Sequence, residues 1–165
     1  MIKGATVADA KRIAEIHVQT WKVAYDGIVT SSYLESLSIE SRANRWEKSL
    51  SQSTEGTLVY EETARVVGWV SYGPCRDKGE SDKGEIYAIY VLPDHWGNKY
   101  GKKLILAAEE NLRQSNLKEI TLWVLEKNSR ARLFYEQRGY SADGMKKELT
   151  MDGIKLIELR YAKSI

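Results

Sequence analysis

Residues 85–92, Glu-Ile-Tyr-Ala-Ile-Tyr-Val-Leu, form a strand-like run that carries apolar side chains at odd and even positions alike and stops at Pro93. A strand that is apolar on both faces must be covered on both, which places it in the interior of a sheet. Proline cannot continue the hydrogen-bond ladder. Beyond it come Gly97 and Gly101, and then Leu104, Ala108 and Leu112 recur every fourth residue as the stripe of an amphipathic helix. The junction therefore predicts a central strand, a Gly-containing turn and a helix over residues 100–115.

The rest of the chain arranges itself around that unit. A short strand over residues 2–5 leads into Thr6-Val7-Ala8-Asp9, a variant of the hydroxyl-x-x-acid cap that satisfies free amides at a helix start. Ile13, Ile16, Val18 and Trp21 then recur at roughly helical spacing to about residue 22, and Asp26-Gly27 breaks the pattern. Residues 33–50 read as two short helices that divide around residues 38–40. Residues 57–60 and 66–72 are rich in β-branched and aromatic side chains and read as strands joined by a turn at residues 62–64. An exposed loop is expected over residues 76–84, a buried strand over 120–125, and a helix over 130–138 ended by Gly139. Strands at 145–150 and 154–161 join through Asp152-Gly153, a strong hairpin signal. The sum is an α+β chain built on one central mixed sheet.

Composition removes several function classes. The chain has 165 residues, 42% of them hydrophobic, enough for one domain (residues 1–165) with a core that needs no staple. Its 25 Lys+Arg against 23 Asp+Glu leave a formal charge of +2, which gives no general affinity for nucleic acid or a membrane surface. One cysteine, Cys75, cannot close an internal disulfide and has no motif around it, so it reads as a structural thiol in a reducing compartment. With His17 and His95 it lacks the spacing of a zinc site, and no metal is expected. Neither a membrane span nor a secretory signal is apparent, so the expected location is the cytoplasm.

The turn after the central strand carries the chemistry. Free amides and the positive dipole end of a helix favour an anionic phosphate, and Lys99, Lys102 and Lys103 add charge at the same place. Two nucleotide classes fail on spacing. A P-loop needs four residues between its glycines and Ser or Thr after the lysine. Here Gly97 and Gly101 enclose three, and Lys103 stands at the hydroxyl position. A G-x-G-x-x-G fingerprint is absent.

These residues resemble the GNAT superfamily of N-acetyltransferases. Val91-Leu92-Pro93 matches the family's Val-x-Pro strand end, and Gly101 fits the last small position of its Gln/Arg-x-x-Gly-x-Gly/Ala loop. Trp96 stands where Gln or Arg is usual, and Lys99 stands where the first Gly is usual. Gly97 matches the common Gln-Gly-Lys-Gly form. The segment from Asn128 to Tyr140, Asn-Ser-Arg-Ala-Arg-Leu-Phe-Tyr-Glu-Gln-Arg-Gly-Tyr, is similar to the family's Asn-x-x-Ala-x-x-Phe-Tyr-Glu-Lys-x-Gly-Phe signature and likewise follows a buried strand. The resemblance covers nearly the whole chain. It implies a mixed, mostly antiparallel sheet of the α/β three-layer type with splayed central strands. It also implies acetyl-CoA as cosubstrate and a primary amine on a small molecule or peptide as acceptor, attacked directly in a ternary complex. The rival reading is a non-catalytic acyl-CoA-binding domain on the same fold. Dimers are common in the family, so a homodimer is possible.

By the same resemblance, Tyr135 is the general acid near the thioester sulfur, and its phenol is protonated at neutral pH. Glu85 is the candidate base. It opens the central strand, where period two puts it on the face of Tyr87, Ile89 and Val91. Ile89, Tyr90 and Val91 are assigned to the cofactor, Ile89 and Val91 through their backbone. Trp96, Gly97, Asn98, Lys99, Tyr100, Gly101 and Lys102 form the pyrophosphate turn, in which Lys99 must adopt the conformation that Gly normally takes. Asn128 and Ala131 line the pantetheine arm, and Asn128 also suits a helix N-cap. Gln137 replaces a frequent Lys. His17, Trp21, Tyr25 and Tyr87 are candidates for the acceptor side. For the first three, core packing is the favoured reading, since aromatic residues at helical spacing usually make core, and His17 is also a candidate proton relay.

Overall fold

The computed structural model describes residues 1–52 and 56–165. In chain order the elements are β1 (Ile2–Gly4), α1 (Ala10–Ala24), α2 (Ser31–Glu35), α3 (Ile39–Gln52), β2 (Gly56–Glu62), β3 (Arg65–Pro74), β4 (Gly84–Val91), α4 (Tyr100–Gln114), β5 (Glu119–Leu125), α5 (Ser129–Glu136), β6 (Ser141–Met151) and β7 (Ile154–Ser164). The strands form one seven-stranded sheet in the order β1-β2-β3-β4-β5-β7-β6. Only the β4/β5 pair is parallel, as the crossover through α4 requires. This is the mixed sheet of an α+β fold that the sequence predicts.

Local sequence sets the boundaries. Thr6 and Asp9 form the predicted capping box around a 3-10 turn that opens α1. Asp152 and Gly153 both adopt positive φ in the two-residue β6/β7 turn. β6 begins four residues before the predicted strand. Its ladder breaks between Ala142 and Lys146, around Gly144 at φ +93°. Arg160 Nε holds Asp143 Oδ2 at 2.6 Å across that break, a tertiary contact that local pattern does not announce.

Two layers cover the sheet. α4 lies on β2, β3 and β4 and buries Leu104, Ile105, Ala108 and Leu112 against Val70, Ile86 and Val91. α1 lies on the other face, where Ile13 and Ile16 meet Val59, Val66 and Trp69 and α3 packs outside. Covering by both layers is the physical reason that residues 85–92 are apolar at every position after the first.

Two irregularities in β4 shape everything that follows. Ser71 pairs with Ala88 but Tyr72 pairs with Ile86, so Tyr87 is the extra residue of a β-bulge. The bulge resets the alternation. Ile86, Ile89 and Val91 face α4, whereas Ala88 and Tyr90 face α1. Glu85, paired with Gly73, therefore does not share a face with Ile89 and Val91 as unbroken period two predicts. The second irregularity is a splay. Pairing of β4 with β5 ends at Ile86↔Leu122, although β4 runs on to Val91 and β5 to Leu125.

Candidate active site

The splay opens a cleft of about 560 Å³ that passes between the two helical layers. Its first wall is the free edge of β4. Leu92 donates its N–H to the Val67 carbonyl at 2.9 Å, so in the antiparallel alternation Tyr90 is the residue hydrogen-bonded to β3. Ile89 and Val91 consequently turn their peptide groups toward the gap. An extended ligand backbone laid there would meet strand-type donors and acceptors.

The turn into α4 supplies the anion-binding end. Lys99 is left-handed at φ +62° and provides no side-chain cap. Lys99 thus takes the glycine-like conformation that the motif demands, and Gly97 at φ +86° takes the other. The first bond of α4 runs from Lys103 N–H to the Lys99 carbonyl at 3.1 Å. The amides ahead of it have no intrahelical acceptor and face out of the helix end. Gly101 allows close approach: a Cβ there would stand 3.2 Å from the Phe134 ring, which would have to yield by a few tenths of an ångström. Lys99, Lys102, Arg130 and Arg138 line this end of the cleft.

Trp96 does more than replace a polar motif residue. Its indole donates to the Val91 carbonyl at 2.7 Å, an oxygen that also accepts from Thr20 Oγ1 at 3.3 Å. The Arg130 guanidinium stacks 3.4 Å above the Trp96 ring and ties the turn to the start of α5. Tyr100 borders the cleft, but its hydroxyl donates to Glu62, and that bond pushes the phenol up to about 12.

On the opposite wall Asn128 caps α5 by accepting from the Ala131 N–H at 3.1 Å, and both residues line the cleft. Tyr135 lies there too, buried between Phe134 and Tyr140. Burial, reinforced by the nearby Tyr90 phenol, raises its pKa well above the ordinary value, so the hydroxyl keeps its proton.

At the far end, His17, Trp21, Tyr25, Tyr87 and Tyr90 line the cleft. The Trp21 indole donates to the Tyr90 oxygen at 2.9 Å, and Tyr25 is hydrogen-bonded to the same oxygen. Tyr87 donates to the Pro74 carbonyl at 2.7 Å. His17 stacks on Tyr90 at 5.0 Å. Arg42 Nη1 lies 3.2 Å from His17 Nε2. A guanidinium only donates, so Nε2 accepts and Nδ1 carries the ring proton. Burial, and then the Arg42 charge, lower the His17 pKa to about 3. Such a ring favours its neutral form, in which it packs within the aromatic cluster.

Two sequence-predicted residues stay outside the cleft. Asn98 is exposed on the turn and does not line it. Glu85 is 2% exposed and held away in the closed half of the β4/β5 pair. Its carboxylate accepts from the Arg76 backbone N–H at 2.9 Å and from Arg76 Nη2 at 2.6 Å. The bulge at Tyr87 is why strand periodicity misplaced it. Conversely, sequence reasoning missed Arg130, Arg138, Trp123 and Glu158, which do line the cleft. Arg130 and Arg138 lie inside the signature segment and helical phase could have found them. Nothing local marks Glu158, the one carboxylate alongside the charged residues Lys155, Arg160 and Lys163 of β7.

The chain is 31% identical over 160 residues to the Uncharacterized N-acetyltransferase YuaI of Bacillus subtilis (strain 168), covering 96% of this chain and 89% of that one. It is 26% identical over 147 residues to a Spermidine N(1)-acetyltransferase of Thermoplasma acidophilum, with 86% and 88% covered. The crystal structure of the PaiA N-acetyltransferase of Thermoplasma acidophilum in complex with coenzyme A shares the fold, with a TM-score of 0.77 at 24% identity over 100% of this chain and 98% of that one. The sequence profile of the Acetyltransferase (GNAT) family matches residues 13–140. With its family profile matched over most of its length and a relative 31% identical over 160 residues, the chain belongs to the acetyltransferase (GNAT) family.

Proposed function

We propose that residues 1–165 act as a single domain that transfers an acetyl group from acetyl-CoA to a primary amine, by direct attack within a ternary complex. The observation that carries this reading is the gap between β4 and β5, with the outward-facing Ile89 peptide and Val91 N–H along one side and the amide-rich, basic start of α4 at one end. Its shape and charge suit an extended amide-containing arm that ends in a diphosphate. The coenzyme A complex of the PaiA N-acetyltransferase gives a relative of the same fold with that ligand.

In this reading the amides of Gly97 to Gly101, with Lys99 and Lys102, hold the diphosphate. Asn128 and Ala131 border the pantetheine arm beside the β4 edge. Acetyl-CoA supplies the acyl group as an activated thioester. The amine nitrogen attacks its carbonyl carbon, the new C–N bond forms and the C–S bond breaks. Tyr135 gives its proton to the departing sulfur, and the tyrosinate is neutralised by the proton that the amine gives up. The chain's main contribution is to align the two reactants and to keep the Tyr135 phenol protonated until the sulfur needs it. Glu85 takes no part in this scheme, because Arg76 engages its carboxylate outside the cleft.

The test is calorimetric titration with acetyl-CoA, followed by thiol release on a panel of primary amines. Binding with amine-dependent thiol release is the expected result. Binding without release on any amine would leave only an acyl-CoA-binding domain, and no binding would remove the reading altogether.

A further inference from the structure

The chemistry of the cleft changes along its length. Its cations are Lys99 and Lys102 at the α4 start, and Arg130 and Arg138 at the two ends of α5. Among the described residues, the one carboxylate that lines it is Glu158 of β7, which pairs in register with Leu125 just beyond the splay. Trp21, Tyr25, Trp123, Leu149 and Met151 also line the cleft, and most of them belong to the apolar cluster built on Leu125 and Leu156 of the strands next to Glu158. This end is therefore an aromatic and aliphatic socket with a single negative charge.

We infer that Glu158 receives the ammonium of the acceptor, which passes one proton to solvent before its nitrogen attacks, and that the acceptor is a primary amine with one cation on an aromatic or alkyl body. The inference rests on the acetyl-transfer reading and names the substrate class for that site. An ammonium is held best by a carboxylate combined with an aromatic face, and the chain already makes that combination for itself. Lys147 Nζ lies 3.3 Å from Glu158 Oε2 and 4.1 Å from the centre of the Trp123 ring. The Lys147 and Glu158 side chains are 47% and 23% exposed, and ion pairs of that kind contribute little and exchange readily. A second ammonium in the same socket would find no second carboxylate and would be desolvated unpaired. A polyamine is thereby disfavoured relative to a monoamine.

The experiment compares wild type with Glu158→Gln, using phenethylamine, hexylamine and spermidine as acceptors and following both thiol release and amine binding by calorimetry. Loss of a charge-assisted contact predicts a roughly 10–100-fold rise in KM, or in Kd, for the two monoamines. The Kd for acetyl-CoA should be unchanged, which also reports an intact fold. Wild type should favour either monoamine over spermidine in kcat/KM. An unchanged KM and Kd in Glu158→Gln overturns the role of Glu158, and a clear preference of wild type for spermidine overturns the acceptor class. If monoamines bind in a Glu158-dependent way but release no thiol, the acetyl-transfer reading fails while the assignment of Glu158 stands. If monoamines do not bind wild type at all, the assignment fails.

Discussion

Burial at Tyr135 acts on a group that is neutral when protonated, so desolvation holds the proton in place. Burial at Glu85 is compensated instead by the Arg76 guanidinium and backbone N–H. Two conservative substitutions should therefore give opposite readouts. Tyr135→Phe is expected to lower kcat about a hundredfold or more while the Kd for acetyl-CoA stays within twofold, roughly. Glu85→Gln is expected to reduce unfolding free energy by about 1–3 kcal/mol with kcat retained, read by denaturant titration and thiol release side by side. A large loss of kcat in Glu85→Gln would return that residue to the catalytic machinery. Residue identity was most legible where a motif fixed the place. Tyr135 and Asn128 sit in a signature helix and line the cleft, whereas Glu85 was placed by strand periodicity, which a one-residue bulge defeats.

At the scale of elements, the chain tolerates left-handed backbone at side chains that do not favour it. Lys99 does so at the α4 start, where the geometry exposes amides to the cleft. Thr63 and Ala64 do so in the two-residue β2/β3 turn, at φ 48° and 62°, where nothing in the cleft depends on them. Such turns favour Asn-Gly because both central residues need positive φ. Replacing Thr63-Ala64 by Asn-Gly should raise stability by about 1 kcal/mol and leave kinetic constants alone; an unchanged or lowered Tm would contradict that account. The elements themselves were mostly legible, because apolar periodicity, the Asp152-Gly153 turn and Gly139 are local signals. The early start of β6 was not, since its first residues are held by Arg160 from the neighbouring strand.

For the molecule as a whole, the α1 layer is joined to the sheet through the aromatic cluster around His17, and that has a consequence for acid stability. The ordinary His pKa of 6.5 drops to about 3 in the fold. As pH falls below about 6.5, the unfolded chain takes up a proton that native His17 refuses, so the unfolded state gains and stability declines until about pH 3. Between pH 7 and pH 5 wild type should lose about 2 kcal/mol more than His17→Gln, measured as the difference between their stability-versus-pH slopes; parallel slopes would refute it. By itself the sequence determined the element order, the covered central strand, the Gly97 to Gly101 turn and the signature helix, because each is written in spacings of a few residues. Only the tertiary structure decided where β4 parts from β5, that the bulge turns Glu85 away, and that Glu158, Trp123, Tyr25 and Met151 share one socket. Those outcomes depend on contacts between residues as many as 130 positions apart, roughly, whose net energy is set by packing and desolvation and leaves no local trace in the chain.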